Sequence, residues 1–296
     1  MVALGKDLDV TWVIDPDLLA SVEAMTDRYE VPGEGDTSVV GGHQSVAKRW
    51  LTEVQKAVAD KEVVVLPFGD PDLASLAHNG TSVTGSLSHL KEASDVAPGT
   101  VESILHTKPT TDFAWPVNGA VDPSIVKVAT SAGADKVIAR SDTFEETGDL
   151  SYTPSAPRPI GGGNHGRRLG RAAVHGVPGR HDQGFRLHAR RAAVPGQSLT
   201  LGLQTGRQRS VVVAPQRMPS ASQPRRWPRA LTILQDGTWS ESQDLTAAAK
   251  AEPDPAATTR VPPASASTPP RCASASCRVP RSSRSGGRRP SSTSSR

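Results

Sequence analysis

The chain has 296 residues, of which 36% are hydrophobic and only 4% aromatic, and Gly and Pro together supply 51, a proportion that points to extensive loop. No run approaches the roughly 18 consecutive apolar residues of a membrane helix, and the start, MVALGKDLDV, lacks the basic-then-apolar pattern of a signal peptide. Two cysteines, Cys272 and Cys277, are too few for a disulfide framework or a four-cysteine zinc site.

Three segments in the front half share one grammar. In VTWVIDPDLL (10–19), VVVLPFGDPDLASL (63–76) and DFAWPVNGAVDPSIVKV (112–128), an apolar run is followed by Asp-Pro and then by a periodic apolar stretch. A short continuous apolar run suits a strand buried on both faces of a parallel sheet. Asp at a helix N-cap accepts from free backbone N–H groups, and Pro at the first helical position leaves no N–H unsatisfied. Asp15-Pro16, Asp70-Pro71 and Asp122-Pro123 therefore read as helix starts.

The spacing predicts an apolar helix face of Leu18, Val22, Met25 and Tyr29, and a second of Val46, Trp50, Val54 and Val58 before the next strand. Leu73, Leu76 and Ala77 begin a shorter helix, and 88–106 reads as a further one. Ile125, Val128, Ala129 and Ala132 form another, ending near Gly133, before a strand from Lys136 to Arg140. This alternation implies a parallel α/β domain. A (β/α) barrel and an open doubly wound sheet both satisfy it. Because the chain opens almost directly in a strand, the expectation is an incomplete parallel (β/α)-barrel-like domain that lacks upstream elements. A largely disordered Arg/Pro/Ser-rich region follows it. The expected divisions are 1–163 for the partial barrel, 164–195 for a disordered stretch, 196–262 for residual α/β segments of the same domain and 263–296 for a disordered tail.

The charge changes sign along the chain. Residues 1–163 hold 12 Lys and Arg against 24 Asp and Glu; residues 164–296 hold 22 against 6, and among those 22 bases the only lysine is Lys250. A basic half suggests a polyanion-binding tail. Phosphate neutralisation works with Lys as well as Arg, however, so electrostatics does not explain the loss of Lys. Out-of-frame reading of GC-rich DNA does: it yields Arg, Pro, Ala, Gly and Ser. Residues 164–195, 224–229 and 268–296 fit that output, whereas 198–223 and 230–262 keep ordinary protein grammar. The composition thus points to frame shifts that interrupt the coding sequence and later restore it.

VTWVIDPDLL, VVVLPFGDPDLASLAHNG, DFAWPVNG, YTPS (152–155) and VVVAPQRMPSASQ resemble a family of large exported, membrane-anchored proteins of high-GC Gram-positive bacteria, known only as a domain of unknown function or as secreted or membrane glycoproteins. The resemblance covers about 1–163, 196–223 and 230–262. It implies a central (β/α) barrel related in outline to polysaccharide deacetylases and glycoside hydrolases. It also implies a signal peptide, further domains and a C-terminal membrane helix in full-length members, and the expectation is that this chain carries none of them. It identifies no activity.

In a parallel barrel, active sites form at the C-terminal ends of strands. Asp15, Asp70 and Asp122 fall near such ends, and Asp15 with Asp70 could serve as acid and base on a glycosidic bond. The simpler reading, that all three are helix caps, already follows from the Asp-Pro spacing. Trp115 follows a strand and could stack on a sugar; Phe68 and Asn118 sit at similar positions, while Trp12, inside a strand, is expected in the core. His165, His175, His181 and His188 cluster within the suspect stretch, and His43, His78, His89 and His106 are scattered without the i,i+4 spacing of a helical zinc pair, so no metal site is expected. Nor are an Asp-Asp and paired-His deacetylase set, a phosphate loop or a nucleophile elbow found, and no cofactor is expected. Trp227 is the single aromatic in the Arg-rich 224–229, and 268–296 has none, which argues against specific nucleic-acid binding.

The leading expectation is therefore a non-catalytic cell-envelope-type protein, structural or glycan-binding, with cell-wall glycan as partner and no membrane insertion by this chain itself. A glycan-active hydrolase and a polyanion binder are the alternatives. Localisation and oligomeric state are not set by these features.

Overall fold

The computed structural model describes residues 2–146, 150–160, 173–174, 198–199, 201, 203–204, 208–214, 227–257 and 259–263. The chain divides into Met1–Pro263 and Ala264–Arg296, and all described residues lie in the first unit.

The structure is mixed α/β with small parallel sheets. A first turn of helix, α1 (Val2–Gly5), leads to β1 (Trp12–Ile14) and α2 (Pro16–Ala24). An exposed antiparallel hairpin, β2 (Glu30–Pro32) with β3 (Ser38–Val40), is inserted before α3 (Gln44–Val58). β4 (Val63–Val65) follows, then α4 (Leu73–Ser75), which continues as a π-turn over Leu76–Gly80, and the long α5 (Ser86–Leu105). β5 (Phe113–Ala114), α6 (Pro123–Ser131), β6 (Lys136–Val137), β7 (Ala139–Arg140) and β8 (Glu145–Glu146) complete the front half. Behind them come β9 (Ala173–Val174), α7 (Trp227–Gln235), α8 (Leu245–Lys250) and β10 (Thr259–Arg260), which pairs antiparallel with β8.

The parallel strands are neighbours in chain order. β1 pairs with β4 (Val13 opposite Val64), Val64 bridges in parallel to Thr110 just before β5, and β5 pairs with β6 (Ala114 opposite Val137). Side chains alternate across a strand, and the core follows that alternation. Trp12, Ile14, Val63 and Val65 point to one face and pack on Leu19, Val54, Val58, Val101 and Ile104 of α2, α3 and α5. Ala114, Val137 and Ala139 continue that face and pack on Leu73, Leu90, Ile125, Val128 and Ala129. The intervening residues Val13, Val64, Phe113 and Ile138 form a row on the other face, where Leu245 and Ala249 of α8 cover them. Helices α2 to α6 thus lie on one side of the strands and α8 on the other.

α8 is held from a distance. Its preceding residue, Asp244, makes no side-chain cap. Instead Leu245 N donates to Glu62 Oε2 at 2.6 Å and Thr246 N to Glu62 Oε1 at 2.9 Å. Thr11 Oγ1 donates to Glu62 Oε2 at 2.6 Å, so Glu62, just before β4 and held by Thr11 just before β1, supplies the anion that a helix N-terminus favours. Next to them, buried Lys136 bonds Asp135 at 2.6 Å and Asp112 at 3.3 Å and lies 5.5 Å from the centre of the Phe113 ring.

Several expectations are corrected in detail. The buried face of α2 is Pro16 and Leu19, with Leu18 56% exposed; α3 buries Ala47, Val54, Ala57 and Val58, with Val46 48% exposed. In α3 the expected Val54 and Val58 are buried and Trp50 packs on the same core, so only Val46 leaves the expected face; α2 turns Leu19 inward in place of Leu18 and ends at Ala24, before Met25 and Tyr29. The strand expected from Lys136 to Arg140 breaks at Ile138 into β6 and β7. Within 164–195, expected to lack packed structure, Ala173 and Val174 form β9, parallel to β7. The rest of that stretch lies outside the described residues, as does the 268–296 tail.

Candidate functional site

The strand ends are where chemistry was expected, and the local sequence explains each side chain there. Asp15 follows β1 directly and caps α2: its Oδ1 accepts from Asp17 N at 3.0 Å. Pro16 fills the first helical position without leaving a free donor.

After β4, the expected helix start at Asp70-Pro71 moves two residues on. Asp72 is the cap, accepting from Ala74 N at 3.0 Å, Ser75 N at 3.3 Å and Ser75 Oγ at 2.8 Å. The sequence GDPD offers two aspartates, and only Asp72 is followed by a residue free to start the apolar face with Leu73 buried. Asp70 instead closes a turn, its N donating to Pro67 O at 2.9 Å; Gly69 and Asp70 have φ of 74° and 44°. That left-handed conformation is one Asp tolerates better than most residues. Phe68, half-buried beside it, donates from its backbone N to Ala93 O of α5 at 2.9 Å.

After β5, Asp122 caps α6 and does more. Its Oδ1 accepts from Ser124 N at 2.8 Å, Ser124 Oγ at 2.5 Å and Ile125 N at 2.9 Å, while Oδ2 lies 2.6 Å from His78 Nε2. The Asp122 side chain is 9% exposed and that of His78 43%. Burial would push the Asp122 carboxyl up, but the bonds from Ser124, Ile125 and His78 and the charge of the imidazole outweigh it and hold the group below the ordinary carboxylate value. His78 comes from the π-turn, and its sequence surroundings gave no sign of the pair: the partners are 44 residues apart.

Trp115 does not stand free at the strand end. It continues the Phe113 side of the alternation and packs, half-buried, against the row of Val64, Phe113 and Ile138. Trp12 lies in the core against α2, α3 and α5 as expected. Asn118 is in a single 3-10 turn, Val117–Gly119. His43, His89 and His106 are far apart in the fold's elements: His43 precedes α3, His89 lies within α5 and His106 ends it. Among the described residues, no three His, Cys, Asp or Glu side chains come together as metal ligands, and no helix is long and apolar enough to cross a membrane. Cys272, Cys277, His165, His175, His181 and His188 lie outside the described residues.

The arrangement therefore supplies three helix caps, one buried carboxylate bonded to a part-exposed imidazole, and a strand face covered by α8. No curated protein matches the sequence. Among solved structures, the 4-alpha-glucanotransferase from Thermococcus litoralis is similar in fold, with a TM-score of 0.52 at 14% identity over 90% of this chain. The chain spans 37% of that enzyme. A family model, described as a family of unknown function (DUF6049), matches residues 3–285, and the chain belongs to that family.

Proposed function

We propose that this chain is a non-catalytic scaffold of the cell envelope, built on an arc of a (β/α) barrel and serving a structural or glycan-binding role. Four features support the barrel arc: parallel strands adjacent in chain order, helices α2 to α6 on one side, a single inner row of Val13, Val64, Phe113 and Ile138, and the likeness in fold to a glucanotransferase. The envelope setting rests on the resemblance of VTWVIDPDLL and its companion segments to exported proteins.

The observation that carries the non-catalytic reading is that Asp15 and Asp122, which follow β1 and β5, each commit Oδ1 to backbone N–H groups at the start of the next helix. A glycosidase needs one carboxyl raised so that it can donate a proton. Asp122 is held low instead. Trp115 packs, half-buried, against Val64, Phe113 and Ile138.

Three substitutions test this. Asp15→Asn, Asp15→Ala and Asp70→Asn are assayed against a panel of α- and β-linked glucan oligosaccharides and peptidoglycan, with thermal melting in parallel. The scaffold reading expects no turnover by the parent chain and a lower melting temperature for Asp15→Ala. Turnover that Asp15→Asn or Asp70→Asn abolishes without loss of stability would establish the hydrolase instead. The Arg-rich stretches are read as products of frame shifts, which translation of the gene in all three frames tests; a lack of family-like sequence in the other frames across 164–195 would refute that part.

A further inference from the structure

We infer that Trp239 is a stacking platform for a neutral pyranose ring, a proposal that rests on the glycan-binding reading above and names its contact site. Trp239 lies in the turn after α7 and is 40% exposed. A single exposed apolar side chain is ordinary. What distinguishes this one is that its ring is fixed. Its Nε1 donates to Ser198 Oγ at 3.1 Å, which anchors one edge. The ring also lies against the backbone of Gly237: a Cβ at that glycine would fall 2.8–2.9 Å from three carbons of the indole, closer than side chains approach. Only glycine leaves room for the ring in this position. An aromatic surface held in place before binding loses little conformational freedom when a ligand arrives.

The surrounding chain sets the ligand class. From Gln235 to Asp244 (QDGTWSESQD), every residue except Trp239 and Gly237 is polar. Thr238, Glu241, Ser242 and Gln243 are exposed, as is Asp236. A protein hot spot is an aromatic anchor set among desolvated neighbours, which this turn does not provide. An aromatic face beside hydroxyl, amide and carboxylate groups instead matches a ring with apolar C–H faces and hydroxyl edges. Asp236, Glu241 and Asp244 carry the only charges in the turn, all negative, so an anionic sugar or a nucleic acid is repelled and a neutral one is not.

The test is native affinity electrophoresis of the full chain through gels containing amylose, laminarin or galactomannan, with polygalacturonate as the anionic counterpart. The expected result is slowed migration in at least one neutral polymer, weakened about tenfold or more by Trp239→Ala and partly recovered by Trp239→Phe. Gly237→Ala, which displaces the ring, is expected to weaken binding as well. Melting curves check that the variants remain folded. If no neutral polymer slows the parent chain, both the platform and the glycan-binding reading fail. If a neutral polymer slows Trp239→Ala as much as the parent, the platform fails and the glycan-binding reading stands. Stronger retardation by polygalacturonate than by any neutral polymer would overturn the choice of a neutral ligand.

Discussion

Replacing Glu62 by Ala probes how α8 is held over its face of the strands. Glu62 accepts from Leu245 N, Thr246 N and Thr11 Oγ1 at 2.6–2.9 Å, and Asp244 offers α8 no side-chain cap in its place. Loss of a helix cap costs about 0.5–2 kcal/mol, and a hydrogen bond to a charged acceptor is worth about 1.5–3 kcal/mol. These overlap, because the same two N–H groups are counted in both, and the site is only part-buried. A destabilisation of about 2–3 kcal/mol follows, which for a unit of this size lowers Tm by roughly 5–10 °C. The local effect is more specific than the global one. Amide hydrogen exchange of 245–250 accelerates first, since Leu245 and Ala249 have their cover over Val64, Phe113 and Ile138 loosened while α2 to α6 keep theirs. Glu62→Gln retains one acceptor oxygen and loses the charge, and is expected to fall between the two. Unchanged exchange in 245–250 together with an unchanged Tm for Glu62→Ala would refute the reasoning.

Three further outcomes follow from the packing and the caps. The Asp122 carboxyl is lower in the folded chain than in the unfolded one, so its contribution is full above the ordinary Asp value of about 3.9 and is lost as pH falls through the lower folded value. Urea midpoints of the parent and of Asp122→Ala are therefore expected to differ at pH 7 and to converge as the solution is acidified below about pH 4. Val64→Ala, at a fully buried position, is expected to cost about 2 kcal/mol, whereas Leu18→Ala, at a position 56% exposed, stays within about 0.5 kcal/mol of the parent; equal effects at the two sites would restore the apolar face expected from the sequence. Asp72→Ala lowers the stability of the α4 region by about 1 kcal/mol, read as faster amide exchange at Ala74 and Ser75.

The parts legible in the sequence are those that local chemistry sets. Asp15-Pro16 and Asp122-Pro123 start helices because an N-cap acceptor and a donorless first residue act within one turn. Gly133, at φ 111°, ends α6 where the sequence placed the end. The phase of α2 was not legible: Leu18 and Leu19 are both apolar, and which one is buried depends on how β1 delivers the chain to its neighbours. The choice between Asp70 and Asp72 turned on the same kind of contact, the burial of Leu73. The least legible features join residues far apart in the chain. Glu62 caps a helix 183 residues later, and His78 meets Asp122 across 44. No periodicity or motif records such pairs, because each member satisfies an ordinary local role on its own. Trp115 shows the same limit, since a residue just beyond a strand is read as exposed until α8 is placed over that face.

α8 seals the face of the parallel strands that carries Val13, Val64, Phe113 and Ile138. Through-space NMR contacts between the Leu245 methyl groups and the Phe113 ring test this cover. Strong cross-peaks are expected from Leu245 to Phe113 and from Ala249 to the same buried row of Val64 and Ile138. Methyl signals of Leu245 with no cross-peak to that row, and with the sharpness of a freely moving side chain, would contradict it.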